Sequence, residues 1–328
     1  MNHPSKQAIR GYWCKPLLKL LHNNLGYKLT YLGLPASEAY DILCWLDYIN
    51  YIIAFQCRDY PNSSSVEQSR KEVEKLEEKL LSWERQGKID NFALYDGYIE
   101  EVLIKGKDTT GKDFLQDRSV TIYNLDFCNS ITVPLLYYDE KNNKKEAYKS
   151  EAIRKLLEVQ RDISMEENGS KFLMFLTVHS NFFKEESSRF IQELDTQLKK
   201  YAIKIQKLPT PEKNLRLLKL YIYKMLKSFF CTLGFTPEFL PAIYYKGADS
   251  GGQENWLLHF TIVGVQNRNP SSIAPCLQPD TTFLDQKLLN INNNRFCSRN
   301  TDGIIENNAN GSSVSAFNNS YVFKELWH

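Results

Sequence analysis

Ala242-Ile-Tyr-Tyr-Lys246 and Trp256-Leu-Leu-His-Phe-Thr-Ile-Val-Gly-Val265 stand on either side of a glycine-rich stretch, Gly247 to Asn255. Two apolar runs rich in aromatic and β-branched residues, joined by a short glycine turn, read as a β-hairpin with antiparallel strands. Upstream the pattern is different. Lys28-Leu-Thr-Tyr-Leu-Gly33 is a short strand that ends on glycine. Ser37 is placed to cap a helix over Glu38 to Tyr48, with Ala39, Ile42, Leu43 and Leu46 at helical spacing. Tyr51-Ile-Ile-Ala-Phe-Gln56 is a continuous apolar run, the signature of a strand covered on both faces. A long charged helix then starts at Ser63 to Ser65, repeats Val73, Leu76, Leu80 and Trp83 every three or four residues, and stops at Gly87.

The alternation continues. Phe92 to Ile104 carries a strand and a short helix or turn, Gly106 to Asp117 a polar loop, and Val120-Thr-Ile-Tyr-Asn-Leu-Asp126 a further strand. Glu151 to Asp162 is helical, and Lys171-Phe-Leu-Met-Phe-Leu-Thr-Val-His179 is the most apolar strand of the chain. Helices over Phe183 to Lys207 and Pro211 to Leu233 lead into the hairpin. Strands that alternate with helices and close on a hairpin predict an α/β fold: a mostly parallel sheet, helices on both faces, and a C-terminal antiparallel hairpin. On this reading residues 1–27 form a lead-in with one short helix, 28–266 the domain, and 267–328 an Asn- and Ser-rich tail with weak order.

Composition bounds the function. At 328 residues, 42% hydrophobic and 24% charged, the chain is an ordinary globular protein. A formal net charge of +2 makes no electrostatic case for nucleic acid or a membrane surface. No apolar run approaches the ~20 residues that span a bilayer, and the N-terminus has no signal-peptide core, so a cytoplasmic location is the expectation. Seven cysteines, no Cys-x-x-Cys pair and apolar neighbours such as Leu43 and Trp45 point to free buried thiols. GxGxxG, P-loop, HExxH and GxSxG motifs are absent, which argues against dinucleotide oxidoreductases, P-loop NTPases, zincins and α/β-hydrolases.

The order of elements from Lys28 to Gln266 resembles the Rossmann-like fold of the class I S-adenosylmethionine methyltransferases, and the final hairpin carries most of that resemblance. The resemblance implies a cofactor, S-adenosylmethionine, bound beyond the carboxyl ends of the strands. It places Gly33 against the methionine part, Gln56 where an acid usually holds the ribose, and Asp96 near the adenine. Where family members place several glycines, this chain has Gly33 followed by Pro35. Asp59 is a second candidate for the ribose. For catalysis the resemblance points to Asn124-Leu-Asp-Phe-Cys-Asn129. Asn124 and Asp126 would accept hydrogen bonds from an amino group of the acceptor, and Phe127 would stack on it; the prolines usual in the family at this place are missing.

Plainer uses compete with each assignment. Asp126 and Asn129 also suit turn capping, Gly33 a tight turn, and Cys128 a structural thiol. Three functions stay open: a methyltransferase, with nucleic acid among the conceivable acceptors; a non-catalytic scaffold with a protein partner, in an assembly such as a bacterial defence or nucleic-acid modification system; and, last, a nuclease using acids between Asp108 and Asp117.

Overall fold

The computed structural model describes residues 3–56, 63–127, 130–139, 141–166, 170–180, 189–247, 256–266, 279–292, 295–299 and 305–306. The chain opens on a helical run: α1 (Pro4–Ala8), a π-helical segment (Ile9–Cys14) and α2 (Lys15–Leu25). This run extends well beyond the short helix expected, because Trp13, Leu17, Leu18 and Leu21 supply a buried stripe. Beyond it the chain forms two compact units: one of residues 17–126 and 131–175, the other of 1–16, 127–130 and 176–328.

The first unit is a parallel ladder with helices around it. Its strands are β1 (Leu29–Gly33), β2 (Ile49–Gln56), β3 (Asn91–Asp96), β4 (Ile122–Asp126) and the first half of β7 (Lys171–His179). Their order is β3-β2-β1-β4-β7. The chain therefore starts at β1, steps outward to β3, and returns to the other side of β1 with β4. β1 pairs in parallel with both neighbours, Gly33 opposite Ala54 on one side and Asn124 on the other. β2 pairs in parallel with β3, Gln56 opposite Asp96. Every residue of β1 is buried, as a strand covered on both faces requires. The strand order reverses between β1 and β4, and the carboxyl ends of the strands at such a reversal are where open α/β sheets bind ligands.

Helix α3 (Tyr40–Trp45) starts later than its sequence suggests. Ser37 does not cap it, and the preceding Ala39 adopts a left-handed conformation (φ 46°) without a capping side chain. The helices α4 (Ser63–Arg85), α5 (Ile99–Lys105) and α6 (Lys149–Glu166) complete the unit. A two-stranded antiparallel hairpin, β5 (Leu135–Tyr138) with β6 (Lys144–Ala147), lies between β4 and α6 in the chain. α6 is tied to the sheet by Gln160, fully buried, whose side chain accepts from the Val120 amide (2.9 Å) and donates to the Val120 carbonyl (3.1 Å).

The second unit centres on β10 (Trp256–Gln266), buried along nearly its whole length. β8 (Phe235–Phe239) and β9 (Ile243–Lys246) both pair with it in antiparallel fashion, so they act as one strand interrupted at Pro241. This is the expected hairpin, with its first arm longer than the sequence indicated; its turn, 248–255, lies outside the described residues. The packing helices are α7 (Thr196–Gln206) and α8 (Thr210–Thr232).

Part of the segment read as a weak tail takes regular structure. α9 (Thr281–Asp285) is capped by Asp280, and β11 (Leu289–Asn292) adds to β9 in parallel. β12 (Arg295–Arg299) and β13 (Ile305–Glu306) continue the sheet. The hairpin is therefore not the end of the sheet. Cys14 and Cys44 form no disulfide, but Cys231 is disulfide-bonded, which corrects the expectation of free thiols.

Candidate functional site

At the end of β1 stands Gly33, and the residue that crowds it is Tyr31. Residues i and i+2 of a strand share a face, so Tyr31 and Gly33 point to the same side of β1. A side chain on Gly33 would meet the Asn124 carbonyl oxygen at 2.6 Å and the Tyr31 hydroxyl closer still. Tyr31 is fully buried and lies forward over the glycine. Its hydroxyl donates to Asp41 Oδ2 at 2.6 Å. The Asn124 amide donates to the same oxygen at 2.5 Å and to the Tyr31 hydroxyl at 3.3 Å. Asp41, in the first turn of α3, is itself buried. A carboxylate out of water needs donors around it, and phenol and amide supply two.

The loop that leaves Gly33 is fastened at both ends. The Leu34 amide donates to the Asn124 carbonyl at 3.1 Å. On the far side, the Lys79 ammonium of α4 donates to the Glu38 carbonyl at 2.8 Å, and Lys75 and Lys79 both pair with the Glu38 carboxylate. Hydrogen bonds from those two lysines hold the Glu38 carboxyl below the usual range. The loop is thus pinned by side chains, not by a run of glycines.

Gln56 and Asp96 sit side by side at the ends of β2 and β3. The Gly97 amide donates to the Gln56 carbonyl at 3.0 Å, and Gly97 takes a positive φ of 144° that a side chain would resist. Asp96 is buried at the base of the 106–117 loop. Its amide donates to Asp108 Oδ2 at 3.1 Å, and the Thr109 amide and hydroxyl both donate to its carbonyl at 2.9 Å. Asp108 organises that loop. Burial raises its pKa, but hydrogen bonds from Thr110, Asp96 and Lys112 outweigh the burial and leave it below the ordinary value. Asp117 is paired with Arg118 at 3.1 Å. Among the described residues no group of three acids, histidines or cysteines is placed to hold a metal ion, so the nuclease arrangement is not found there.

Asn124 and Asp126 share one face of β4, with Asn124 in the Tyr31–Asp41 cluster and Asp126 half-buried beyond it. Phe127 belongs to the second unit. Its amide donates to the Thr177 carbonyl at 3.0 Å, and its ring is buried. Asp59, Cys128 and Asn129 lie outside the described residues. The structure therefore brings Gly33 and Asn124 together as one pair and Gln56 and Asp96 as another.

Tyr31 and Asp41 were not singled out from the sequence. The only signal was spacing: a large polar aromatic two residues before the strand-end glycine. This bears on S-adenosylmethionine. The resemblance places its methionine part close against the Gly33 backbone, and that face is filled by Tyr31, held by Asp41 and Asn124. The residues present do not leave the close approach that this cofactor needs at Gly33.

No protein-family model matches the sequence, and no curated protein sequence matches it. Solved structures are similar to this chain at low identity. A candidate RNA methyltransferase of Pyrococcus horikoshii is 13% identical, with 81% of this chain and 86% of that one covered and a TM-score of 0.34. An O-methyltransferase of Bacillus cereus in complex with SAH is 8% identical, with coverages of 79% and 82% and a TM-score of 0.30. TYW2 of M. jannaschii in complex with AdoMet is 7% identical, with coverages of 76% and 75% and a TM-score of 0.29. At such superposition values the likeness carries nothing about activity, which has to be read from the side chains of this chain.

Proposed function

We propose that the chain is a methyltransferase-like protein that no longer holds S-adenosylmethionine against its first strand and serves as a non-catalytic subunit of a larger assembly. The observation that carries this reading is the Tyr31 hydroxyl over Gly33, bonded to Asp41 and Asn124. A phenol fixed by two partners in a fully buried position is part of the core, and opening the face would break those bonds and leave Asp41 buried with fewer donors. Gln56 in place of an acid, a single glycine and the missing prolines agree with it.

Isothermal titration with S-adenosylmethionine up to millimolar concentration is the test. The expected result is no heat. Saturable micromolar binding would overturn the proposal, and a single unaccompanied chain by light scattering in native extract would remove the assembly.

One observation favours a second reading. Asn124 and Asp126 stand at the carboxyl end of β4, beside the reversal of strand order where ligands of such sheets bind. If S-adenosylmethionine does bind, with Tyr31 displaced, these two would accept hydrogen bonds from an acceptor amino group.

A further inference from the structure

Lys219 is a cation placed where a cation is costly. It lies in the middle of α8 and is 3% exposed. Its amine donates to the Phe283 carbonyl at 2.5 Å and the Gln286 carbonyl at 2.9 Å, at the carboxyl end of α9. The Phe283 ring lies 4.2 Å from it. Among the described residues no carboxylate is within ion-pair distance. Asp280 and Asp285 on the α9 side act on it only from further away, as does Arg216 one turn earlier on α8. Tyr201 of α7, and Tyr223 with Lys227 on α8, are further titratable groups that interact with Asp280 or Asp285.

The segment held by Lys219 is a cover. Phe283 stacks on Tyr223 and packs against Phe239, and the Asp280 amide donates to the Tyr223 hydroxyl at 2.5 Å. Six residues after Phe283, β11 lies along the edge of β9, with the Leu289 amide donating to the Ala242 carbonyl at 2.9 Å. An uncovered strand edge is a template for another strand.

We propose that residues 279–292 form a strap over the β9 edge whose hold depends on the charge of Lys219, tight when its amine is neutral and loose when it is protonated. A neutral amine has two N–H donors, the number needed for the two carbonyls. A third proton adds a charge that the Phe283 ring face offsets only in part. Burial pulls the Lys219 pKa down to about 7 from 10.5. With the strap released, the amine returns to water and to its ordinary value. Between these two values the released state binds one proton more than the docked state, so docking strengthens with rising pH, by up to about tenfold per unit. Below about pH 7 both states carry the proton and the dependence levels off.

Hydrogen exchange reads this at the Leu289 amide, corrected for the intrinsic exchange rate, between pH 7 and pH 9. Protection is expected to rise toward a hundredfold over that span, while β10 amides stay flat. In Lys219→Met the rise should vanish. A flat profile in the natural chain, or an equal rise in Lys219→Met, overturns the proposal, since the titration would then belong to Lys227 or another group. Should Lys219→Met fail to fold, Lys219→Arg decides. Its permanent charge should leave Leu289 unprotected at every pH with β10 intact, and full protection there overturns the proposal.

Discussion

At the scale of single residues, the cluster beside Gly33 rests on one hydroxyl. Tyr31 Oη serves Asp41 and receives the Asn124 amide, so its removal takes a donor from a buried carboxylate and an acceptor from a buried amide. Tyr31→Phe keeps the ring and its packing near Trp45 (centroids 6.4 Å apart) and deletes only these bonds. The expected loss is about 1–3 kcal/mol, read as a lower urea midpoint with unchanged slope. An unchanged midpoint would mean that the hydroxyl is not fastened, and with it the case against the cofactor falls. Gly33 was legible as a position of close approach, because a strand that ends on glycine signals a backbone with something against it. What approaches it was not legible. Tyr31 is its neighbour in sequence, but Asp41 and Asn124, which hold the ring forward, come from another helix and another strand.

At the scale of elements, the strands easiest to read were those buried on both faces. β2, β7 and β10 announce themselves as unbroken apolar runs, and their burial leaves no other reading. The misses share a cause. β8 reads Phe-Thr-Pro-Glu-Phe239, and a proline in mid-run argues against a strand; Pro237 is tolerated opposite Gly264 of β10. β6 reads Lys-Lys-Glu-Ala147, a polar strand exposed over three of its four residues. α6 shows a further long-range dependence. Its first residue, Lys149, pairs with Glu100 of α5 at 3.5 Å, both side chains less than a tenth exposed, and also donates to the Val133 carbonyl at 3.1 Å. Lys149→Met strands the Glu100 charge and should cost about 3–5 kcal/mol, whereas Glu100→Gln combined with Lys149→Met removes both charges and should recover a good part of that. A double variant no more stable than the single one would show that the pair is not what the position depends on.

At the scale of the whole chain, the order in which strands appear is what the sequence carries best, because each turn from strand to helix is local. Where the sheet stops is decided at long range, and the strands after Leu289 show it: a segment of Asn and Ser composition finds an open edge at β9 and takes up strand form there. Cysteine pairing is long-range in the same way. Seven cysteines in apolar settings suggest thiols, yet Cys231, buried on α8, is bonded. No spacing rule assigns a partner to it, since connectivity does not follow from sequence. The bond has a chemical consequence for the intact protein. The bond at Cys231 consumes two of the seven cysteines, so titration of the denatured chain without reductant should find at most five thiols, and seven after reduction. Seven in both would show that the chain is held reduced. Five or fewer would point to oxidising surroundings during or after folding, because a cytosolic thiol pool keeps such pairs open.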